Sequence, residues 1–155
     1  VTKSSDVIIR EANAGDESQW RELFLAYGVF YETAFTGDIT RGVWAWILDS
    51  SHPLTCWVAE DNGVVVGFAH VREQPDTFRA GPSWFLDDLF TAPAARGRGV
   101  GRALIAHATD FAARNGGGEL RWITAEDNAV ARGLYDTLAA KTSWVMYELD
   151  TERGI

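Results

Sequence analysis

Cysteine is almost missing from this chain. Cys56 stands alone among 155 residues, which excludes an intramolecular disulfide and makes a reducing compartment, the cytoplasm, the expected home. It sits between apolar residues and reads as core. Histidine is scarce as well: His52, His70 and His107 are scattered without the spacing of metal ligands, so no metal site is expected. No apolar run approaches the roughly 20 residues of a membrane-spanning helix. The first residues also lack the pattern of a secretory leader. Basic residues are outnumbered, 14 against 22 acids, for a net charge of -8. That balance argues against nucleic acid or an anionic membrane as partner and favours the approach of cationic small molecules. Repeats and low-complexity tracts are absent. What is present, 46% hydrophobic residues in an ordinary charged background, suffices for a single domain over residues 1–155.

The most informative stretch runs from Leu86 to Ile105. An apolar strand pattern carrying Asp87 and Asp88 breaks at Pro93, crosses a loop of Arg and Gly, and restarts with helical spacing at Val100, Leu104, Ala108 and Phe111. Arg96, Gly97, Arg98, Gly99, Gly101 and Arg102 therefore lie at the turn into a helix. The first N–H groups of a helix have no intrahelical partner, and its dipole adds partial positive charge there. Glycines remove the side chains that would hold an anion away, and three arginines add charge, so the turn suits a pyrophosphate. A P-loop is excluded because no Gly-Lys-Ser/Thr follows. A dinucleotide fingerprint is excluded because Gly97-x-Gly99 leads to Arg102, and Gly99-x-Gly101 to Leu104, where glycine or alanine is needed.

The rest of the pattern is strand at Val7–Arg10, a helix capped by Asp16 or Gly15 with Trp20, Leu23, Phe24, Tyr27 and Tyr31 on one face, and a helix over 38–48. Strands over 55–60 and 64–71 flank Asp61-Asn-Gly63, a hairpin signal. A loop over 74–81, a strand over 83–91, the helix over 99–114, a strand over 120–124, a helix from Asn128 to about Leu138 and a closing strand over 144–149 complete the chain. The fold class is α/β in the α+β sense: a mixed, largely antiparallel sheet of six to seven strands flanked by about four helices. The seven tryptophans, spread over strands and helices without a basic stripe, read as core.

Arg96-x-x-Gly99-x-Gly101 behind a Leu-Phe-Thr strand end resembles the acetyl-CoA signature of the GNAT N-acetyltransferase superfamily, and the element order matches that fold over nearly the whole chain. Asn128 to Tyr135 in Ala-Glu-Asp-Asn-Ala-Val-Ala-Arg-Gly-Leu-Tyr resembles the superfamily's other block. The resemblance implies acetyl-CoA as cosubstrate, with Leu89, Phe90, Thr91 and Asn128 against the pantetheine arm. The loop Arg96, Gly97, Arg98, Gly99, Val100, Gly101 and Arg102 would hold the pyrophosphate. Tyr135 would hold the coenzyme sulfur and donate a proton to the leaving thiolate; its alternative reading is a core aromatic. A backbone N–H near Leu89 or Phe90 would meet the oxyanion.

An attacking amine must shed a proton, so a carboxylate beside it is useful. Asp87 and Asp88 are the candidates; a regular strand sends them to opposite faces, so only one would serve unless a bulge intervenes. The other reading makes them partners for Arg72, Arg79 or Arg121. Phe85-Leu-Asp-Asp-Leu-Phe-Thr91 is similar to the acidic strand of spermidine/spermine (diamine) N-acetyltransferases, and Tyr27, Tyr31 and Glu32 to the pocket helix of that group and of small yeast histone/polyamine acetyltransferases. That resemblance implies a small polyamine-like amine as acceptor, with Tyr27, Tyr31, Glu32, Asp87 and Asp88 as its contacts, and allows a homodimer. Asp at 87 in place of Glu, Thr91 in place of Val and Ala139-Ala-Lys-Thr after the last helix depart from the pattern. A protein or peptide lysine, an amino acid or an aminoglycoside as acceptor, or an acyl-CoA-binding module without turnover, are the rival readings.

Overall fold

A computed structural model describes residues 7–153 of the chain. In order it contains strand β1 (Val7–Glu11), helices α1 (Glu17–Phe30) and α2 (Gly37–Leu48), strands β2 (Leu54–Asp61), β3 (Val64–Asp76) and β4 (Gly81–Thr91), helix α3 (Val100–Arg114), strand β5 (Leu120–Arg121) and helix α4 (Ala129–Leu138). Contacts gather Val1–Trp122 into one compact unit and Ile123–Ile155 into a second.

The first unit is built on one sheet of order β1-β2-β3-β4-β5. β1 to β4 are antiparallel neighbours, and β5 runs parallel to β4. Asn62 and Gly63, at φ 50 and 81, both occupy the left-handed region that a two-residue hairpin turn between right-twisted strands requires. The turn starts the register of β2 on β3, and a shift between Ala59 and Glu60 then moves it by one residue, placing Cys56 opposite His70. The loop expected over 74–81 is short, because β3 continues to Asp76 and β4 already begins at Gly81.

Alternation along β2 sends Cys56 and Val58 to one face and Trp57 to the other. On the first face Trp20 and Phe24 of α1 and Trp44 of α2 pack with Cys56, Val58, Phe68 and Phe90. On the second, α3 buries Val100, Leu104, Ile105, Ala108 and Ala112, and its Phe111 ring lies 4.9 Å from Trp57 and 5.6 Å from Trp84. The sheet therefore lies between helical layers. Burying rings of this size at about 25 cal/mol per Å² is the main stabilising term for such a sandwich.

α1 is reached through a 3-10 turn, Ala14–Asp16, capped by Asn13; Asp16 stands at the N-cap of α1 as expected, though its side chain makes no cap bond to that helix. Asn13 accepts from the Gly15 N–H, and Asp16 accepts from the Asn13 N–H. Asp16 is gripped as well by two Arg10 nitrogens at 2.7 and 2.8 Å, which ties β1 to the start of α1.

Three expectations need correction. Among the described residues the sheet has five strands, not six to seven. β5 stops at Arg121, and Trp144–Leu149 forms no strand: Trp144 and Tyr147 are 87% and 91% exposed. Alternating apolar residues favour extension, but a strand exists only where a neighbour takes up its hydrogen bonds. The second unit contributes α4 and no strand among its described residues. Finally, Trp20, Trp44, Trp57 and Trp84 are core, whereas Trp144 is exposed and Trp46 lies at the surface, stacked on His52 at 4.9 Å.

Candidate active site

The register of β3 on β4 slips at one place. His70 pairs with Asp88 and Val71 with Leu86, so Asp87 is an extra residue in β4. Such a bulge re-aims side chains. Asp88 meets His70 and Asp87 meets Arg72, and His70 and Arg72, two apart on β3, share a face. Both acids thus reach the face covered by α1, where a regular strand would have divided them.

Their surroundings differ. Asp87 receives a fork from Arg72, with Nε and one terminal nitrogen each 3.0 Å from a carboxylate oxygen. The same guanidinium lies 5.4 Å over the Phe85 ring and reaches Gln74 Oε1 at 3.3 Å. Asp88 Oδ2 lies 2.9 Å from His70 Nδ1, and the Tyr27 side chain hydrogen-bonds the same carboxylate. His70 is 1% exposed and Asp88 24%. Burial alone would push the Asp88 carboxyl up, but His70, by its hydrogen bond and any positive charge on its ring, and Tyr27 more than offset that and hold it below the usual range. Asp88 is therefore a carboxylate at neutral pH.

Aromatic rings frame it. Tyr27 lies 6.0 Å from both Phe68 and Phe90, and 4.9 Å from Tyr31. Burial, and then the charge of Asp88, push the Tyr31 hydroxyl up, so Tyr31 senses the carboxylate. Tyr27 and Tyr31 thus lie beside Asp88, while Asp87 is held by Arg72 next along β4. Glu32 is not among them: it is exposed just past α1, at φ 56, and among the described residues nothing joins its carboxylate to Asp88.

The C-terminal half of β4 is arranged differently on its two edges. Towards β3 it is paired as far as Thr91, whereas towards β5 only Trp84 and Phe85 pair, with Leu120 and Arg121. Among the described residues the backbone of 86–91, which includes Leu89, Phe90 and Thr91, has no strand partner on the β5 side. Gly67, opposite Thr91, lets this end close up: a Cβ there would lie 2.9 Å from the Phe90 carbonyl oxygen and 3.0 Å from Val100 Cγ1.

Beyond β4 the chain makes a 3-10 turn at Pro93–Ala95 and enters the Arg-Gly loop. Gly97 and Gly99, at φ 77 and 80, hold the left-handed conformation that costs other residues about 1–2 kcal/mol. Gly99 is the N-cap of α3 and, having no side chain, provides no cap for the first N–H groups of the helix. Val100 is 3% exposed and anchors the turn by its side chain. Arg98 pairs with Asp61 at the β2–β3 turn, 2.8 Å away. Arg96 bends back, its Nε 3.2 Å from the Thr91 carbonyl oxygen and its guanidinium 5.5 Å over Phe90. These residues fit a pyrophosphate and an extended polar arm: open strand edge, uncapped helix start, glycines and nearby cations.

In the second unit, Asn128 is the N-cap of α4: its side-chain oxygen accepts from the Ala131 N–H at 3.4 Å and its amide donates to Thr124 Oγ1 at 3.3 Å. Asn128, Ala131, Arg132 and Tyr135 form a half-buried stripe at helical spacing on one face of α4.

Sequence reading passed over Trp20, His70 and Asp61 as site residues. The signal for His70 was its place two residues from Phe68 in an alternating strand, hence on the core face beside a strand with two acids. Among the described residues, no group of three His, Cys, Asp or Glu side chains is placed to hold a metal ion, and no helix is long and apolar enough to cross a membrane.

Comparison with known proteins agrees with this geometry. Residues 17–139 match the model of the acetyltransferase (GNAT) family. An uncharacterized N-acetyltransferase of Bacillus subtilis is 32% identical over 83% of this chain and 85% of its own length. The D-amino-acid N-acetyltransferase HPA3 of Saccharomyces cerevisiae is 28% identical over 92% of this chain and 89% of its own. Among solved structures, aminoglycoside N-acetyltransferase AAC(6')-Iy in complex with CoA superposes with a TM-score of 0.83 at 25% identity, covering 97% of this chain and 99% of that one. An open β4 edge ending in a glycine-arginine helix start, beneath a family match of this extent, means that the chain belongs to the GNAT acetyltransferase family, the acetyl-CoA-dependent N-acetyltransferases.

Proposed function

We propose that the protein acetylates the primary amine of a small cationic acceptor, polyamine-like by charge, with Asp88 as the group that holds the ammonium and takes the proton released when the amine attacks. The observation that carries this is the Asp88 carboxylate itself: kept ionised by His70 and Tyr27, 24% exposed, and framed by the Tyr27 and Tyr31 rings, whose faces favour a cation. Acetyl-CoA supplies the activated acyl group. The Gly97–Gly101 backbone with Arg96, Arg98 and Arg102 holds its pyrophosphate. The open edge of Leu89, Phe90 and Thr91 takes the pantetheine arm, and an N–H near Leu89 or Phe90 faces the acyl oxygen; for Asn128 the same role rests on the family resemblance of its motif. Tyr135 donates to the leaving thiolate.

The proton inventory restricts what Asp88 does. An alkylammonium has a pKa of about 10.4 and an ordinary aspartate about 3.9, so the carboxylate does not deprotonate the resting ammonium to any extent. The ammonium first loses one proton to solvent, exposing its lone pair; Asp88 aligns the neutral amine and receives the second proton as the N–C bond forms and the nitrogen becomes acidic. Asp87, held by Arg72, takes no part in that step.

A second acceptor reading has its own observation. With Asp87 neutralised by Arg72, the site offers one carboxylate and a neighbouring guanidinium, 41% exposed, rather than two free acids. This suits an amino acid, its ammonium at Asp88 and its carboxylate towards Arg72, and HPA3 is named for D-amino acids. Thiol release from acetyl-CoA, measured with spermidine, D- and L-amino acids, aminoglycosides and lysine peptides, separates the classes. Saturation by spermidine supports the polyamine reading. Saturation by amino acids, with a KM that rises in Arg72→Gln, supports the second. Tight coenzyme binding with no active acceptor would overturn transfer in favour of an acyl-CoA-binding module.

A further inference from the structure

The Asp88 carboxylate is the near end of a buried chain of three groups. His70 Nε2 lies 2.9 Å from the indole Nε1 of Trp20, and His70 Nδ1 lies 2.9 Å from Asp88 Oδ2. Trp20 is fully buried, and no buried side-chain nitrogen or oxygen among the described residues lacks a partner. An indole N–H only donates, so Nε2 must present its lone pair. The single ring proton then sits on Nδ1, where it is donated to Asp88. A second proton on Nε2 would set two N–H groups against each other in the core and cost the Trp20 bond. The opposite tautomer would do the same and also turn a lone pair towards the carboxylate.

Resting on the reading of Asp88 as the ammonium-binding carboxylate, we infer that His70 is a positioning residue for Asp88, locked as the neutral Nδ1–H tautomer by the indole of Trp20. The ring is gripped on all sides. Trp20 and Phe24 lie 5.9 and 5.3 Å from it on α1, Phe68 lies 4.7 Å away on β3, and Cys56 is its opposite number on β2. The titratable groups facing it are Asp88 from β4, Tyr27 from α1 and the Cys56 thiol from β2. Burial drives that thiol upward, so it stays neutral. Tyr31 and Arg72 lie one step further out, beside Asp88 and Asp87. The lock fixes which oxygen of the Asp88 carboxylate the imidazole engages.

Nitrogen-15 NMR of the imidazole in the native protein tests the tautomer without any reference to catalysis. The expected result at neutral pH is a protonated Nδ1 and an unprotonated Nε2. A protonated Nε2 overturns the inference. Trp20→Phe keeps the ring and removes the donor. It is expected to free Nε2 and lower kcat for the acceptor, with the KM for acetyl-CoA unchanged. His70→Leu is expected to lower kcat about 10- to 100-fold, as loss of an orienting partner does elsewhere, with the KM for acetyl-CoA unchanged. His70→Asn, which can still donate to Asp88, should restore part of it. Folded Trp20→Phe and His70→Leu variants with wild-type kcat would overturn the positioning role even if the tautomer is as stated. Should no acceptor be turned over at all, the proposed function fails while the NMR result still decides the lock.

Discussion

Asp87 and Asp88 are neighbours in sequence with different fates, and substitution should separate them. Asp88→Asn keeps the shape and one acceptor oxygen but removes the charge that holds an ammonium. The expected result is a fall in kcat/KM for the amine of about 10²- to 10³-fold, with acetyl-CoA affinity unchanged. Asp87→Asn loosens the Arg72 fork. It should alter kcat far less and cost stability by no more than about 1 kcal/mol, because that pair is 41% and 30% exposed. The pH dependence follows from the low pKa of Asp88. Since that group is already ionised above its ordinary range, the acid limb of kcat/KM near neutrality reports deprotonation of the acceptor. Comparing acceptors of different amine pKa should move the limb with the acceptor; a limb that stays put assigns it to a group on the enzyme. The acid pair was legible in the sequence, and so was the competing possibility that Arg72 takes one of them. Which acid it takes was not, because a one-residue bulge leaves no mark in the pattern of apolar residues.

At the scale of elements, two junctions carry the site. The first is the entry to α1, where Asp16 is 4% exposed and its carboxyl is held below the usual range mainly by Arg10, against the effect of burial. A carboxyl whose folded pKa is depressed contributes stability above its unfolded value, about 3.9, and loses it as pH falls through the folded value. Thermal midpoints should therefore fall below about pH 4. Asp16→Asn should lose about 2 kcal/mol at pH 7 and flatten that acid dependence, as seen in denaturant melts across pH. The second junction is the β4-to-α3 turn. Gly99→Ala places a Cβ at φ 80, so calorimetry should show weaker acetyl-CoA binding together with about 1–2 kcal/mol of destabilisation. An unchanged affinity would mean that the loop does not hold the pyrophosphate. Helices and the hairpin were readable here because period, caps and Asn62-Gly63 are local signals. The Arg98–Asp61 pair joins residues 37 apart and was not.

Over the whole molecule, the class of fold and the coenzyme followed from two short motifs in the right order, because an anion site at a helix start needs only local residues. The acceptor side is assembled from α1, β3 and β4 together, so it depends on register and packing that periodicity does not encode. His70 illustrates this: isolated in sequence, it becomes the link between Trp20 and Asp88 once β3 is paired with β4. The Trp144–Leu149 segment illustrates the reverse, a convincing strand pattern that stays exposed because extension without a partner is not a strand. The most direct test of the central claim is acetyl transfer from acetyl-CoA to the best acceptor of the panel, run side by side with wild type, Asp87→Asn and Asp88→Asn. The account expects turnover in wild type, modest change in Asp87→Asn and loss of about 10²-fold or more in Asp88→Asn with coenzyme binding intact. Full activity in a folded Asp88→Asn variant would contradict it.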